Sequence, residues 1–277
     1  MTILDKFSLD GKVAIVTGGG TGLGKAICHA FARAGADVVI AGRRIEPLNE
    51  TATEVRNLGQ RAMAISTDVT DSRQVEKLVG KTIAEFDKVD IMVNNAGIAR
   101  GIEPSPRDDI PIKLGPIWEL SDDKWRRATD LNLGGTFYCC RAVAEHMLKR
   151  KRGKVINMAS VGGMRAQKGW FTYPAAKAGV IMLTKALAVT WARDNIQVNV
   201  IAPGFIKVVD ASPGLKEPNP DFIPMGRFGE PKDVGLLAVF LASDASNYIT
   251  GECFIIDGIG SAGYAPTGYA PVLNLNK

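Results

Sequence analysis

Four residues at fixed intervals carry side chains suited to moving a proton: Asn132, Ser160, Tyr173 and Lys177, with Tyr173-Pro174-Ala175-Ala176-Lys177 at their centre. A Tyr and a Lys four apart on a helix stand one turn above each other on one face, so an ammonium can lie beside a phenol. A free phenol, with a pKa near about 10, is a poor base at neutral pH. A cation roughly 4 Å away, at an effective dielectric of about 20, favours phenolate by about 4 kcal/mol, or about 3 pKa units. Tyr173 would then titrate close to working pH, where proton transfer is most effective. Taken alone, the pair also fits an ordinary helix with a half-buried Tyr and a solvated Lys.

The other end of the chain bears on that choice. Directly after a strand-like run comes Thr17-Gly18-Gly19-Gly20-Thr21-Gly22-Leu23-Gly24, leading into a helix pattern from Lys25 to Arg33. Glycines there permit a tight turn and let a pyrophosphate approach backbone amides at a helix N-terminus, which marks Gly18, Thr21, Gly22, Leu23 and Gly24 as nucleotide contacts. The spacing is GxxxGxG and does not meet the GxGxxG form in any frame. A second strand ends in Ala41-Gly42-Arg43-Arg44, where an NAD-binding chain places an acid for the ribose hydroxyls. With no carboxylate to repel a 2′-phosphate and a guanidinium to bind it, Arg43 and Arg44 favour NADP(H), although NAD(H) is not excluded and the two arginines could be surface charges opening the next helix.

These residues need a scaffold. Short apolar runs at Val13 to Thr17, Asp37 to Ala41, Ala62 to Ser66, Ile91 to Asn94, Val155 to Met158, Val198 to Ile201 and Phe254 to Ile256 alternate with helix-length amphipathic segments. Strands without polar alternation are buried on both faces, so the expected architecture is α/β: a single-domain, doubly wound parallel sheet with helices on both faces and ligands beyond the carboxyl ends of its strands. At 277 residues and 46% apolar composition the chain can bury one substantial core, and 1–277 reads as one domain. Three stretches stand apart: a Pro- and charge-rich insertion near 100–116, a Pro-rich lid near 209–226 and a tail at 261–277 that repeats Gly-Tyr-Ala-Pro.

Composition narrows the function classes. The four cysteines, Cys28, Cys139, Cys140 and Cys253, follow no metal spacing and read as reduced thiols in a cytosol; with two histidines, no metal site is expected. Net charge is +5, and the densest basic run, Lys149 to Arg152, closes a helix pattern where cations complement the helix dipole. It lacks interleaved aromatics, so no nucleic-acid partner is expected. No run approaches the length of a membrane span, and the expected localisation is cytoplasmic.

With its TGxxxGxG turn, NNAG at 94–97, the Ser–Tyr–Lys set and the Pro203-Gly204 turn, the chain resembles the short-chain dehydrogenase/reductases over nearly its whole length. The resemblance implies a Rossmann-like oxidoreductase in which Tyr173 gives or takes the substrate proton and Ser160 holds the carbonyl or hydroxyl oxygen. It implies that Lys177 binds the nicotinamide ribose and lowers the Tyr173 pKa, and that Asn132 holds a water in a proton relay. It also implies adenine contacts at Asp68 and Val69, contacts flanking the adenosine ribose at Asn95, Ala96 and Gly97, and a turn beside the nicotinamide at Pro203, Gly204 and Ile206. Val208 stands where many relatives carry a Thr that bonds the cofactor. The insertion near 100–116 is longer than the pattern expects, and leaving the sheet at its carboxyl edge it should border the substrate entrance unless it is surface decoration.

The implied reaction is hydride transfer between NADP(H) and a secondary alcohol/ketone pair, by a carbonyl reductase or alcohol dehydrogenase. The alternatives are an NAD-linked dehydrogenase of a hydroxyacyl thioester or cyclic alcohol, and a nucleotide-sensing protein without catalysis. Pocket walls are expected from Val161 to Arg165, Gln167 to Trp170, Phe205 and the lid. The partner is a small-molecule substrate, and the resemblance implies a homo-oligomer, tetramer or dimer, with the helical regions Asp123 to Lys149 and Tyr173 to Arg193 pairing across one axis and the strand near Phe254 across another.

Overall fold

The computed structural model of the chain describes residues 2–97, 116–166, 170–208 and 220–261. Nearly all of the insertion, the first half of the lid and the tail after Ser261 lie outside the described residues. Seven parallel strands form one sheet in the order β3-β2-β1-β4-β5-β6-β7. They are β1 Val13–Thr17, β2 Asp37–Gly42, β3 Ala62–Ser66, β4 Ile91–Asn94, β5 Gly153–Met158, β6 Ile196–Pro203 and β7 Cys253–Ile256. The sheet winds outward from β1 in both directions, so the loops after β1 and β4 part company and open a crevice at the carboxyl edge.

Side chains alternate across the sheet, and each set meets its own layer of helices. On one face Ala14, Val16, Val38, Ile40, Val93 and Ile156 pack with α1 (Gly22–Arg33), α2 (Ile45–Asn57) and α7 (Pro231–Ala242), through Ile27, Phe31, Leu48, Val55, Val234 and Leu241. On the other, Val13, Ile15, Val39, Met92 and Val155 pack with α3 (Ser72–Phe86), α5 (Gly135–Arg150) and α6 (Thr172–Trp191), through Leu78, Val143, Met147, Ala188 and Trp191. Each fully buried Ile or Leu contributes about 1.5–3 kcal/mol, which is why the strands are apolar on both faces.

Differences from the expected elements have local causes. Strand β6 begins two residues earlier than its apolar run because Ile196 and Gln197 pair with Gly153 and Lys154 of β5; within the run, Asn199 Nδ2 donates to the Ile249 carbonyl (2.8 Å) and its Oδ1 accepts from the Glu252 amide (3.1 Å). The helical region expected from Asp123 to Lys149 is broken in two. Helix α4 (Asp122–Thr129) passes into a π-helical turn, Asp130–Gly134, before α5 begins. Helix α6 with its short extension, Thr172–Asp194, corrects the expectation that no run approaches membrane-span length, since by length and composition it does. It lays Ala176, Val180, Thr184, Ala188 and Trp191 in an i, i+4 stripe against the sheet and leaves Met182 and Val189 exposed.

Candidate active site

The carboxyl ends of six strands open into one cleft of about 440 Å³ that runs from the ends of β2 and β3 to the start of α6. Every expected catalytic and cofactor residue lines it except Gly24, whereas the expected pocket walls Val161 to Arg165, Trp170 and Phe205 do not. Gly18 (φ +65°) turns the chain out of β1, and Gly24 lets α1 come down on it: a methyl at Gly24 would strike the Gly18 carbonyl and the Asn95 amide. Gly24 therefore shapes the turn from behind rather than facing a ligand.

Asn95 to Gly97 are held to the same turn. Thr17 Oγ1 accepts from the Asn95 and Ala96 amides, both at 3.0 Å, and donates to the Val93 carbonyl, while Asn95 Nδ2 donates to the Thr17 carbonyl at 2.9 Å. Thr17 is thus a bracket between the two diverging loops. Arg43 and Arg44 are exposed at the far end of the cleft, beside Asp68 and Val69; Ser66 Oγ donates to the Arg43 carbonyl (3.0 Å) and so fixes its backbone. Pro47, Leu48 and Thr67 complete this end without having been singled out from sequence. For Leu48 the available signal was its place on the inner face of α2, three residues after the helix start.

At the other end, the four residues suited to proton transfer meet. Ser160 follows β5, caps a short turn at Val161–Gly163 by accepting from the Gly162 amide (3.1 Å), and hydrogen-bonds the Tyr173 phenol. Lys177 is 5% exposed, and its Nζ donates to the Met158 carbonyl at 2.7 Å. Asn132 lies in the π-helical turn, with Nδ2 bonded to the Ala128 carbonyl (3.0 Å) and Oδ1 facing Gly97. The widened turn carries Asn132 toward the cleft, a common use of π-helical insertions.

The expected lowering of Tyr173 by Lys177 is not what the geometry gives. Burial pushes the phenol up from its ordinary value, opposed by the Ser160 hydrogen bond. Lys177 Nζ is 5.7 Å from the centre of the Tyr173 ring and turned to Met158, so the i, i+4 spacing brings the side chains to one face without bringing ammonium to phenol oxygen. Burial instead lowers Lys177 itself, to about 8.

Beyond Tyr173, Trp170 meets its ring edge-on with centroids 6.3 Å apart. Phe205, Met164 and Met225 are exposed apolar side chains on three neighbouring loops. Arg165 NH1 donates to the Gly260 carbonyl (3.0 Å), joining the loop after Ser160 to the turn after β7. In that turn Asp257 accepts from the Ile259 and Ser261 amides, and Ile259 takes φ +64°. Gln167 to Gly169 lie outside the described residues. Val208 touches the space above Gly22 with its methyls and brings no hydroxyl to the cleft.

A narrow cleft across the switch point of a parallel sheet, with a glycine turn at one side and a Ser–Tyr–Lys set at the other, defines a dinucleotide-dependent oxidoreductase. The family model described as short chain dehydrogenase matches residues 12–218, and the chain belongs to that family, whose members use nicotinamide cofactors. It is 39% identical over 254 residues to 3-oxoacyl-[acyl-carrier-protein] reductase of Synechocystis sp., covering 91% of this chain and 97% of the relative. It is also 39% identical over 266 residues to 2-dehydro-3-deoxy-D-gluconate 5-dehydrogenase of Dickeya dadantii, covering 92% and 98%. A crystal structure of a short-chain type dehydrogenase/reductase from Mycobacterium marinum superposes with a TM-score of 0.83 at 34% identity, covering 95% of this chain and all of that one.

Proposed function

We propose that this oxidoreductase interconverts a ketone and a secondary alcohol with NADP(H), using Tyr173 as the general acid and base. The observation that carries the reading is the meeting of Ser160, Tyr173 and Lys177 at one end of a cleft whose other end holds Arg43 and Arg44. The residues fit the cofactor: the close packing of Gly18, Gly24 and Asn95 leaves the Thr21 to Leu23 backbone facing the cleft, as a pyrophosphate requires. When bound, the cofactor supplies or accepts the hydride.

The chain's own residues do the rest. In the reductive direction the Ser160 hydroxyl and the Tyr173 phenol both bond the substrate carbonyl oxygen, and Tyr173 gives it the proton as alkoxide character develops. A phenol raised by burial is protonated at neutral pH and ready to give that proton. Lys177, charged and buried with Nζ 5.7 Å from the ring centre, stabilises through space the phenolate left behind, and it lies across from Asn132, whose amide can hold a relay water leading to solvent. Arg43 and Arg44 read the 2′-phosphate and Ser66 positions Arg43.

A second reading is reduction of a 3-oxoacyl thioester or a keto-sugar acid, favoured by the names of the two relatives. A panel of ketones, β-ketoacyl thioesters, keto-acids and the corresponding alcohols, run with both cofactors, decides among them. Arg43→Ala should raise the KM for NADPH at least about tenfold while leaving NADH within about twofold, as loss of a charge-assisted pair of about 1.5–3 kcal/mol dictates. Equal wild-type use of NADH and NADPH would remove the cofactor assignment. We also infer a cytosolic homo-oligomer, tetramer or dimer: the four cysteines are free thiols, and exposed apolar side chains on α5 and α6 (Phe137, Met182, Val189) and around β7 (Leu236, Tyr248, Ile255) offer two faces for pairing.

A further inference from the structure

At the opposite end of the sheet, where β1, β4, β5 and β6 begin, a second polar cavity of about 320 Å³ is lined by Lys12, Asp90, Arg152, Lys154, Asn195, Gln197, Asp244 and Asn247. That is about ten water volumes at about 30 Å³ each. Its charges are unevenly matched. Asp244 is taken by Lys12 (2.7 Å), and Asp90 by Arg150 (2.7 Å), Lys88 (3.6 Å) and the Val13 amide (3.0 Å). Both carboxylates are held below their ordinary values by these partners, against the opposing effect of burial.

Two cations form no ion pair with a carboxylate and feel only the charge of Asp244, which is itself bonded to Lys12. Lys154 is 7% exposed, and its Nζ bonds only a neutral hydroxyl, Ser246 Oγ at 3.1 Å. Ser246 is itself committed as a donor to the Leu241 and Ser243 carbonyls, so it can only accept from Lys154. The Arg152 guanidinium makes no hydrogen bond or ion pair among the described residues, although its charge acts on Asp244 at longer range. A buried ammonium that lacks a counter-charge is costly, and its two remaining N–H groups need acceptors. Burial, with the neighbouring Lys12 and Arg152 charges and against the opposing charge of Asp244, brings Lys154 down to about 8.

We propose that this cavity is a binding site for a tetrahedral oxyanion, held by Lys154 and the Arg152 guanidinium and separate from the catalytic cleft. The side-chain amides of Asn195 and Gln197 each have one N–H engaged, with the Lys151 carbonyl and Asn195 Oδ1, and keep a second to offer, as does Asn247; with Asp90 and Asp244 already paired, the cavity favours an anion. The ligand is inorganic phosphate or the terminal phosphate of a larger molecule.

The test is calorimetric titration of the full-length protein with inorganic phosphate at fixed ionic strength, in the wild type and in Arg152→Ala, Lys154→Met and Arg43→Ala. Arg152 is exposed and its replacement leaves the fold intact, so it keeps the test valid if Lys154→Met is unstable. One saturable site is expected, weakened at least about tenfold, equivalent to about 1.4 kcal/mol, in Arg152→Ala and Lys154→Met and unchanged in Arg43→Ala. Competition with AMP identifies the source: displacement of phosphate points to an organic phosphate, failure to displace points to the free ion, and both outcomes support the site. Absence of saturable binding, retention of binding in Arg152→Ala, or its loss in Arg43→Ala, which would assign it to the nucleotide cleft, overturns the proposal.

Discussion

Tyr173 and Lys177 divide the electrostatic work differently from what their spacing suggests. The phenol is raised by burial and bonded to Ser160, so it is protonated at neutral pH and, in the proposed reaction, set to donate. Tyr173→Phe removes the phenol proton and little volume; kcat should fall at least about 100-fold while NADPH affinity measured by fluorescence quenching stays within about twofold. Retention of more than a tenth of the wild-type rate would remove Tyr173 from the reaction. Lys177 is lowered to about 8 from an unfolded value near 10.5. The unfolded chain therefore binds more protons at this group between those values, and stability attributable to it rises with pH through that window. At neutral pH its burial costs the fold about 3 kcal/mol, at about 1.4 kcal/mol for every tenfold change in proton affinity, partly offset by about 1 kcal/mol from the bond to Met158. Lys177→Met, inactive, should make the cofactor-free protein more stable by about 2 kcal/mol in urea at pH 7, an advantage that shrinks as pH passes from 8 to above 10. A destabilised Lys177→Met at pH 7 would mean that the ammonium is better solvated than its burial indicates.

Among the elements, the strands could be read from sequence because each is an apolar, β-rich run, buried on both faces in β1, β4, β5 and β6 and only partly covered in the edge strands β3 and β7. Their ends could not, since Lys154 at the start of β5 and Gln197 at the start of β6 look like loop residues until their partners are known. The GxxxGxG turn, the Arg43-Arg44 pair and the Ser–Tyr–Lys set were visible because a cleft at strand ends demands particular residue types at fixed places. Thr17 as a bracket, Pro47 and Leu48 as walls, and the direction of Lys177 Nζ depend on how distant loops meet, which spacing does not encode. Ile259 is the clearest case. A β-branched residue in the left-handed region is a true outlier and costs about 1–3 kcal/mol. Asp257 holds it there through the Ile259 and Ser261 amides, and Arg165 holds the next carbonyl. Ile259→Gly relieves the strain at the cost of some added freedom in the unfolded chain, so a net gain of about 1 kcal/mol is expected in chemical denaturation. No gain would indicate that Ile259 packing, rather than the hydrogen bonds alone, maintains the turn.

For the whole molecule, the sheet separates two kinds of chemistry. Its carboxyl edge carries the residues proposed for nucleotide binding and proton transfer, and its amino edge carries the basic cavity. Helix α6 joins the first of these to the surface: one stripe presents Tyr173 and Lys177 inward and the other leaves Met182 and Val189 in solvent. If α6 pairs with its copy in a homo-oligomer, Val189→Asp should shift the mass in multi-angle light scattering to a smaller species at micromolar concentration and lower Tm, because a charge would be buried at a closed two-fold contact. A wild type that is monomeric under those conditions would remove the pairing altogether.

The π-helical turn at Asp130–Gly134 has a bearing on which chain lengths are allowed. Relative to an α-helix, a π turn accommodates one additional residue, and one residue in an α-helix is about 100° of rotation. Helices α4 and α5 are therefore out of phase by that angle, and the buried stripe Cys139, Val143 and Met147 meets the sheet only because of it. Deleting one residue between Thr129 and Gly135 would restore an unbroken α-helix, usually the easier structure to form, and turn that stripe away from the core. Local helix quality and global packing thus oppose each other at this point, and the number of residues there admits no drift even where their identities do.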